Sequence, residues 1–126
     1  MKFLIIEDNE ENLYLERVLL EEGGHTIESA DNGESGIVLA QEKVFDAILL
    51  DIQLPDMNGH EVARRLTALP DWQRVPIIAV TSFAMSGDRE KALAAGCSGY
   101  LEKPIDPGRF VAQIEDIVKK TGKPNG

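Results

Sequence analysis

The feature that most constrains this chain is the regular alternation of short apolar runs with longer amphipathic segments. The runs with the length of strands are Lys2–Ile6, His25–Ala30, Ala47–Leu50, Ile77–Val80 and Gly99–Leu101. The first, third and fourth are almost unbroken apolar sequence, which is typical of strands covered on both faces. The second and fifth are predicted mainly from their place in the alternation.

Segments with helical spacing of apolar residues separate these runs and follow the last one. They cover Glu10–Glu22, Glu34–Glu42, His60–Leu69, Asp88–Ala95, and a last helix that opens at Asp106-Pro107 and runs to about Lys120. The buried face of the first helix is predicted to hold Leu15, Val18, Leu19 and Leu20. Ser86 is the predicted N-cap of the fourth helix, and Asp106 that of the fifth.

Strands that alternate with helices predict a parallel sheet with right-handed crossovers, hence a doubly wound α/β domain in three layers. The 126 residues, of mass 13.9 kDa, suffice for one core and not for two. We therefore predict a single domain over residues 1–120, followed by a short flexible tail, 121–126. In such sheets the functional crevice lies at the carboxyl ends of the strands.

Charge and cysteine content exclude several classes of partner. The formal net charge is −9, which argues against nucleic acid or an anionic membrane and leaves cations or basic protein surfaces. The single cysteine, Cys97, excludes an internal disulfide and a thiolate metal cluster. No segment approaches the ~20 apolar residues that a membrane-spanning helix needs. A cytoplasmic domain is the resulting expectation.

Polar side chains follow the predicted strands at the edge where their carboxyl ends meet. They are Glu7 and Asp8, Asp51, Thr81 and Ser82, and Lys103. Carboxylates held together repel one another, so such a cluster is costly unless a cation occupies it. Hard oxygen ligands without histidine or cysteine suit Mg²⁺. The sequence therefore predicts a magnesium site at this edge.

The motifs at this edge, taken in order, resemble one protein family. They are Ile6-Glu7-Asp8-Asn9, the run Asp51–Gly59, Val80-Thr81-Ser82 and Lys103-Pro104. Their spacing fits too, with 30 residues from Asp51 to Thr81 and 22 from there to Lys103. Over essentially the whole chain they resemble the receiver domain of two-component response regulators, which has a flavodoxin-like fold. The apolar Ser82–Met85 segment resembles hybrid-kinase receivers and single-domain regulators of the DivK type.

The resemblance implies a role for each residue of the site. Asp51 is expected to be the phosphoacceptor, a carboxylate nucleophile that forms an acyl phosphate. Glu7 and Asp8 are expected to hold Mg²⁺, or Mn²⁺ in its place, together with Asp51 and the backbone carbonyl of Gln53. Lys103 is expected to supply a positive charge to Asp51 and then to the phosphoryl group. Its bond to the following proline is expected to be cis.

The same resemblance implies a switch and its partners. The hydroxyl of Thr81 is expected to bond the new phosphoryl oxygens, and the ring of Tyr100 to fill the space so vacated. Gln53 and Phe83 are the positions expected to set the lifetime, and we predict slow self-dephosphorylation. The phosphodonor is expected to be a sensor histidine kinase or histidine phosphotransfer protein. The downstream partner is expected to be a protein that binds the face formed by the fourth helix, fifth strand and fifth helix. The domain itself is expected to be a monomer or a weak phosphorylation-dependent dimer.

Other functions and contexts stay open at this point. A Mg²⁺-dependent phosphohydrolase of the haloacid dehalogenase type would need an acid where Gln53 stands, so turnover of external substrates is not expected. A degenerate receiver would lack one of the acid, hydroxyl or lysine positions, and none is lost. Nothing after Lys120 could form a DNA-binding output domain, and the alternative is a segment of a larger hybrid kinase or multidomain regulator. His25 and His60 are expected to be exposed and without a partner acid.

Overall fold

One parallel sheet with strand order β2-β1-β3-β4-β5 organises the chain. The computed structural model describes residues 1–72, 75–82 and 86–121. Its strands are β1 Lys2–Ile6, β2 Thr26–Ala30, β3 Ala47–Asp51, β4 Ile77–Thr81 and β5 Gly99–Glu102. Its helices are α1 Glu10–Glu22, α2 Gly33–Glu42, α3 Gly59–Thr67, α4 Asp88–Ala94 and α5 Phe110–Thr121. The predicted doubly wound α/β fold is confirmed.

The alternating side chains of the sheet build two cores, one on each face. On one face Leu4, Ile48 and Ala79 pack with residues of α2, α3 and α4. On the other face Phe3 and Val80 pack with residues of α1 and α5. β3 and β4 are buried along their whole length, because a parallel sheet with helices on both sides leaves no strand face in water.

Three strands, β3, β4 and β5, end one residue later than predicted, and the extensions of β3 and β4 carry site residues. β3 ends at Asp51 and β4 at Thr81. In the register of these neighbouring strands Asp51 pairs with Val80, so Thr81 lies one residue beyond Asp51 at the same edge. The strand backbone therefore fixes the nucleophile candidate and the hydroxyl relative to each other.

The buried face of α1 differs from the prediction. Leu20 is buried in the core and the half-buried Leu19 packs against it as expected, whereas Leu15 and Val18 are half-buried and do not belong to this core cluster. The fully buried positions of the helix are Glu16 and Leu20. The helix is therefore rotated so that its buried face contains the carboxyl group of Glu16. Packing against the sheet sets this rotation.

Neither of the two predicted N-caps lies directly before its helix. Asp106 accepts the backbone N–H of Gly108 in a turn, and α5 begins only after it, at Phe110. Asn58 caps α3 through its side chain, and Asn32 caps α2 in the same way. The predicted cap of α4 is wrong, because its N-cap is Gly87 with φ of +89°, a conformation that favours glycine.

Both histidines depart from the expected exposed position. His25 is buried, with Nε2 2.8 Å from Oε2 of Glu115 on α5. His60 is half-buried, and its Nε2 has no hydrogen-bond partner among the described residues. Of the predicted tail, Thr121 belongs to α5 and 122–126 lie outside the described residues. No helix in the described ranges is long and apolar enough to cross a membrane.

Candidate functional site

Three carboxyl groups meet at the carboxyl ends of the strands. Glu7 and Asp8 directly follow β1, and Asp51 ends β3. One carboxylate oxygen from each lies within 4.8 Å of the others, a spacing that could hold a metal ion. Glu7 and Asp51 are buried and Asp8 is exposed. Carboxylates alone form a hard oxygen donor set, which matches Mg²⁺ or Mn²⁺.

Lys103 brings the positive charge into this cluster. Its Nζ lies 2.6 Å from Oε1 of Glu7 and 3.8 Å from Oδ1 of Asp51. Its backbone N–H donates to the carbonyl of Thr81 at 2.8 Å, which fixes it beside the end of β4. The peptide bond to Pro104 is cis, as the family resemblance implied. The ammonium group is thus closer to Glu7 than to the aspartate with which we predicted its pairing.

Asp51 lies in an environment that disfavours its charged form. Burial, followed by the negative charge of Glu7, raises the pKa of Asp51 above its ordinary value. Lys103 opposes this effect, and so does the backbone N–H of Gln53, which donates to Oδ1 at 3.2 Å. A cation among the three carboxylates would favour the ionised form that a nucleophile requires.

The two predicted switch residues lie on neighbouring strands, with Thr81 at the end of β4 and Tyr100 on β5 opposite Ala79. Thr81 is 2% exposed and directly adjoins the acidic cluster. Tyr100 on β5 is half-buried and packs against the core that α2, α3 and α4 share with the sheet. Its hydroxyl oxygen is buried without a hydrogen-bond partner among the described residues. The ring is therefore held by packing and not by a polar contact of its hydroxyl.

The loop between β3 and α3 places Gln53 beside Asp51. Gln53 and Asn58 form an antiparallel bridge across this loop, and the N–H of Gly59 donates to the carbonyl of Ile52 at 2.7 Å. A Cβ atom on Gly59 would lie 2.6 Å from the carbonyl oxygen of Asp51. Only glycine permits this close approach, so the motif glycine closes the loop that carries the Gln53 carbonyl.

Two residues near the site were missed by sequence reasoning. Asp56 accepts the backbone N–H groups of Gly33 and Glu34 at 2.8 and 3.0 Å. Glu16 on α1 is 2% exposed, and burial, then the charge of Glu7, raises its pKa to about 8. The available signal for Glu16 was its position between Leu13 and Leu20 on one helical face.

Phe83, the other position expected to tune the lifetime, lies outside the described residues, as do Ala84 and Met85. The prediction of slow self-dephosphorylation therefore stays a prediction. Gln53 is described, and its side chain is exposed beside the acidic cluster.

The fold and site together define a doubly wound α/β domain with an acidic centre and a buried lysine at its strand ends. Residues 3–115 match the family model described as the response regulator receiver domain. The chain belongs to this family and is a receiver domain of two-component signalling. Receiver domains of such systems accept phosphoryl groups from histidine kinases.

Curated relatives fall into two groups of different length. The polar-differentiation response regulator DivK of Brucella anthropi is 43% identical over 115 residues, which cover 91% of this chain and 94% of the relative. The signal transduction histidine-protein kinase BarA of Escherichia coli K12 is also 43% identical, over 110 residues. These cover 87% of this chain but only 12% of the kinase. The domain therefore resembles both a receiver of its own length and a small part of a much longer kinase.

Solved structures agree with the fold and supply one metal-bound example. The receiver domain of the Pseudomonas aeruginosa sensor histidine kinase PA1611 has a TM-score of 0.83 and 33% identity, covering 97% of this chain and 98% of that one. In that structure a magnesium ion is coordinated in the active-site cleft. A Clostridium difficile two-component response regulator has a TM-score of 0.88 and 27% identity, covering 98% and 99%.

Proposed function

We propose that Asp51 accepts a phosphoryl group from a phosphohistidine of a sensor kinase or phosphotransfer protein. The observation that carries this proposal is the meeting of Asp51, Glu7, Asp8 and Lys103 at the carboxyl ends of the strands. In the transfer, a carboxylate oxygen forms the new P–O bond as the P–N bond of the donor breaks. The donor imidazole leaves and takes up a proton.

The donor set supports a divalent cation as the cofactor of this reaction. Glu7, Asp8 and Asp51 would hold Mg²⁺, or Mn²⁺, with the carbonyl of Gln53 as a fourth protein ligand. When bound, the ion neutralises charge on the transferring phosphoryl oxygens. Lys103 adds a compact ammonium charge beside Asp51, where it can bond the phosphoryl oxygens.

We infer that this domain is a switch and not a turnover enzyme. Gln53, two residues after the phosphoacceptor, has no proton to give or take at neutral pH. A phosphohydrolase of the haloacid dehalogenase type needs a general acid and base at this place. The absence of that group supports a stable acyl phosphate over hydrolysis of external substrates.

The output of the switch is proposed to be the face formed by α4, β5 and α5. Thr81 is buried beside Asp51, and Tyr100 packs under this face from β5. A hydrogen bond from the Thr81 hydroxyl to a phosphoryl oxygen would move the β4–α4 loop, and the Tyr100 ring would follow. A downstream protein would read the change, with the domain a monomer or weak phosphorylation-dependent dimer. We also propose that the domain is located in the cytoplasm.

Acetyl phosphate with Mg²⁺ tests the phosphoacceptor directly. Intact mass spectrometry is expected to find one added phosphoryl group on the parent and on Asp31→Asn, a matched control at an exposed strand-end acid. Asp51→Asn is expected to add none. Full labelling of Asp51→Asn would refute the assignment.

A second context is favoured by one comparison. The match to BarA, in which the chain covers 12% of the kinase, supports a receiver segment of a larger hybrid kinase. The match to DivK supports a single-domain regulator. The length of the natural reading frame distinguishes the two, and the phosphotransfer chemistry is the same in both.

A further inference from the structure

The carboxylate of Asp56 caps a helix to which it does not belong. Asp56 lies in the loop between β3 and α3, and its two oxygens accept the N–H groups of Gly33 and Glu34, the first residues of α2. The side chain of Asn32 accepts the next N–H group, that of Ser35, and its carbonyl accepts Gly36 in the first regular bond of the helix. Three of the N–H groups that a helix leaves unpaired at its start are thus satisfied, two of them by Asp56.

Charge and packing both strengthen this contact. The two N–H groups lower the pKa of Asp56 below its ordinary value, as expected for a carboxylate at a helix N-terminus. Behind it, a Cβ atom on Gly33 would lie only 2.7 Å from Cγ of Met57. The loop and the start of α2 are therefore in close contact over two successive loop residues.

The same loop carries the carbonyl group that the proposed metal site uses. Its base is closed by the bridge between Gln53 and Asn58 and by the bond from Gly59 to Ile52. On the side of the loop that faces α2, the carboxylate of Asp56 makes the polar contacts, with the N–H groups of Gly33 and Glu34. Release of Asp56 would remove the polar contact with α2 and leave the packing of Met57 to hold this side of the loop.

We propose that Asp56 is a positioning residue that presets the Gln53 carbonyl for a divalent cation by holding the loop against α2. This inference rests on the proposed function, because it takes Gln53 as a metal ligand. Asp56 itself acts at a distance from the ion, through the loop. When the loop is already ordered, the binding free energy of the cation is not reduced by the free energy needed to order the loop.

Three variants separate positioning from charge and from helix stability. Asp56→Ala removes the charge and both acceptors. Asp56→Asn removes the same charge but keeps one oxygen acceptor. Asn32→Ala weakens the start of α2 through its own cap while leaving the loop contact intact. Titration calorimetry with MgCl₂ measures the Kd of each, and amide hydrogen exchange without Mg²⁺ reports on residues 52–58.

The proposal makes a distinct prediction for each variant. Asp56→Ala is expected to raise the Mg²⁺ Kd about tenfold, as loss of a partner beyond the direct ligands does. It should also speed exchange of the loop amides before any metal is added. Asp56→Asn should fall between Asp56→Ala and the parent, and Asn32→Ala should bind like the parent.

Several results would overturn the inference. Equal losses in Asp56→Ala and Asp56→Asn would assign the effect to charge alone. An equal loss in Asn32→Ala would assign it to the stability of α2. An unchanged Kd in Asp56→Ala, with a parent that binds Mg²⁺, would refute this inference and leave the proposed function standing. A parent that binds no Mg²⁺ would refute both.

Discussion

The ammonium group of Lys103 lies 2.6 Å from Oε1 of Glu7, and both side chains are buried. The second oxygen of Glu7 accepts the backbone N–H of Asn9 at 3.1 Å. This ion pair joins the end of β1 to the segment after β5, across the middle of the sheet. It also compensates a carboxylate cluster that would otherwise be a net cost to folding.

Removal of Lys103 is therefore expected to destabilise the metal-free protein. Lys103→Met leaves the buried Glu7 without its cation, a loss of about 3 kcal/mol in the free energy of unfolding. Mg²⁺ should restore part of this loss, because it replaces the missing positive charge. Urea unfolding in EDTA and in Mg²⁺ measures both effects. Lys120→Met is the matched control, since its partner Asp116 is exposed, and equal losses in the two variants would contradict the prediction.

Mg²⁺ itself is expected to stabilise the folded domain, because it binds the assembled carboxylates and not the unfolded chain. At a concentration of 100 Kd the gain is about 2.7 kcal/mol. Asp8→Ala should abolish this gain and, by relieving repulsion, melt slightly higher than the parent in EDTA. Glu10→Ala, an exposed acid outside the cluster, should respond to Mg²⁺ like the parent. Thermal melts of each variant in EDTA and in Mg²⁺ measure these effects. An unchanged Mg²⁺ response in Asp8→Ala would contradict the proposed metal site.

The fold and the meeting of three carboxylates could be predicted from the sequence because both depend on strands with a strong signal. β1, β3 and β4 are apolar on both faces, so their positions could be read without knowing their neighbours. Once the strands were placed, the rule that their carboxyl ends share one edge brought Glu7, Asp8 and Asp51 together. That step needs no side-chain geometry.

Features that depend on tertiary packing could not be read in the same way. The burial of Glu16 follows from the rotation of α1 on the sheet, whereas its sequence pattern favoured Leu15 and Val18. The partner of His25 lies on α5, 90 residues away, and the contact of Asp56 joins a loop to the start of α2. For these two residues no local pattern reports the contact, because each side chain alone is compatible with an exposed position.

The switch proposal predicts how phosphorylation-like perturbation spreads. On formation of the beryllofluoride adduct, amide shifts should appear at the site and also over residues 83–95 and 99–107. Tyr100→Phe should keep this spread, since the hydroxyl has no hydrogen-bond partner among the described residues. Tyr100→Ala should confine the shifts to the acidic cluster, because the ring transmits the change. Spread without the ring would show that another path carries the coupling.

Glu16 provides the sharpest pH dependence. Burial, then the charge of Glu7, raises its pKa to about 8 in the folded protein, against an ordinary value of 4.5. The folded state therefore holds this proton more tightly than the unfolded state does. Stability is lost as the pH rises from about 4.5 to about 8, by at most ~1.4 kcal/mol per pH unit from this group. Below that window the neutral carboxyl causes no such loss.

Glu16→Gln keeps the shape of the side chain and cannot ionise, so it should remove this loss. We expect the variant to match the parent near pH 4.5 and to exceed its stability at pH 8 by several kcal/mol, with an upper limit of about 5 kcal/mol from the linkage above. Urea unfolding in EDTA between pH 4.5 and 8.5 measures the difference. Glu22→Gln, at an exposed position of the same helix, should follow the parent throughout. Parallel curves for the parent and Glu16→Gln would mean that the carboxyl is ionised in the folded protein across this range, compensated by Lys103 despite its burial.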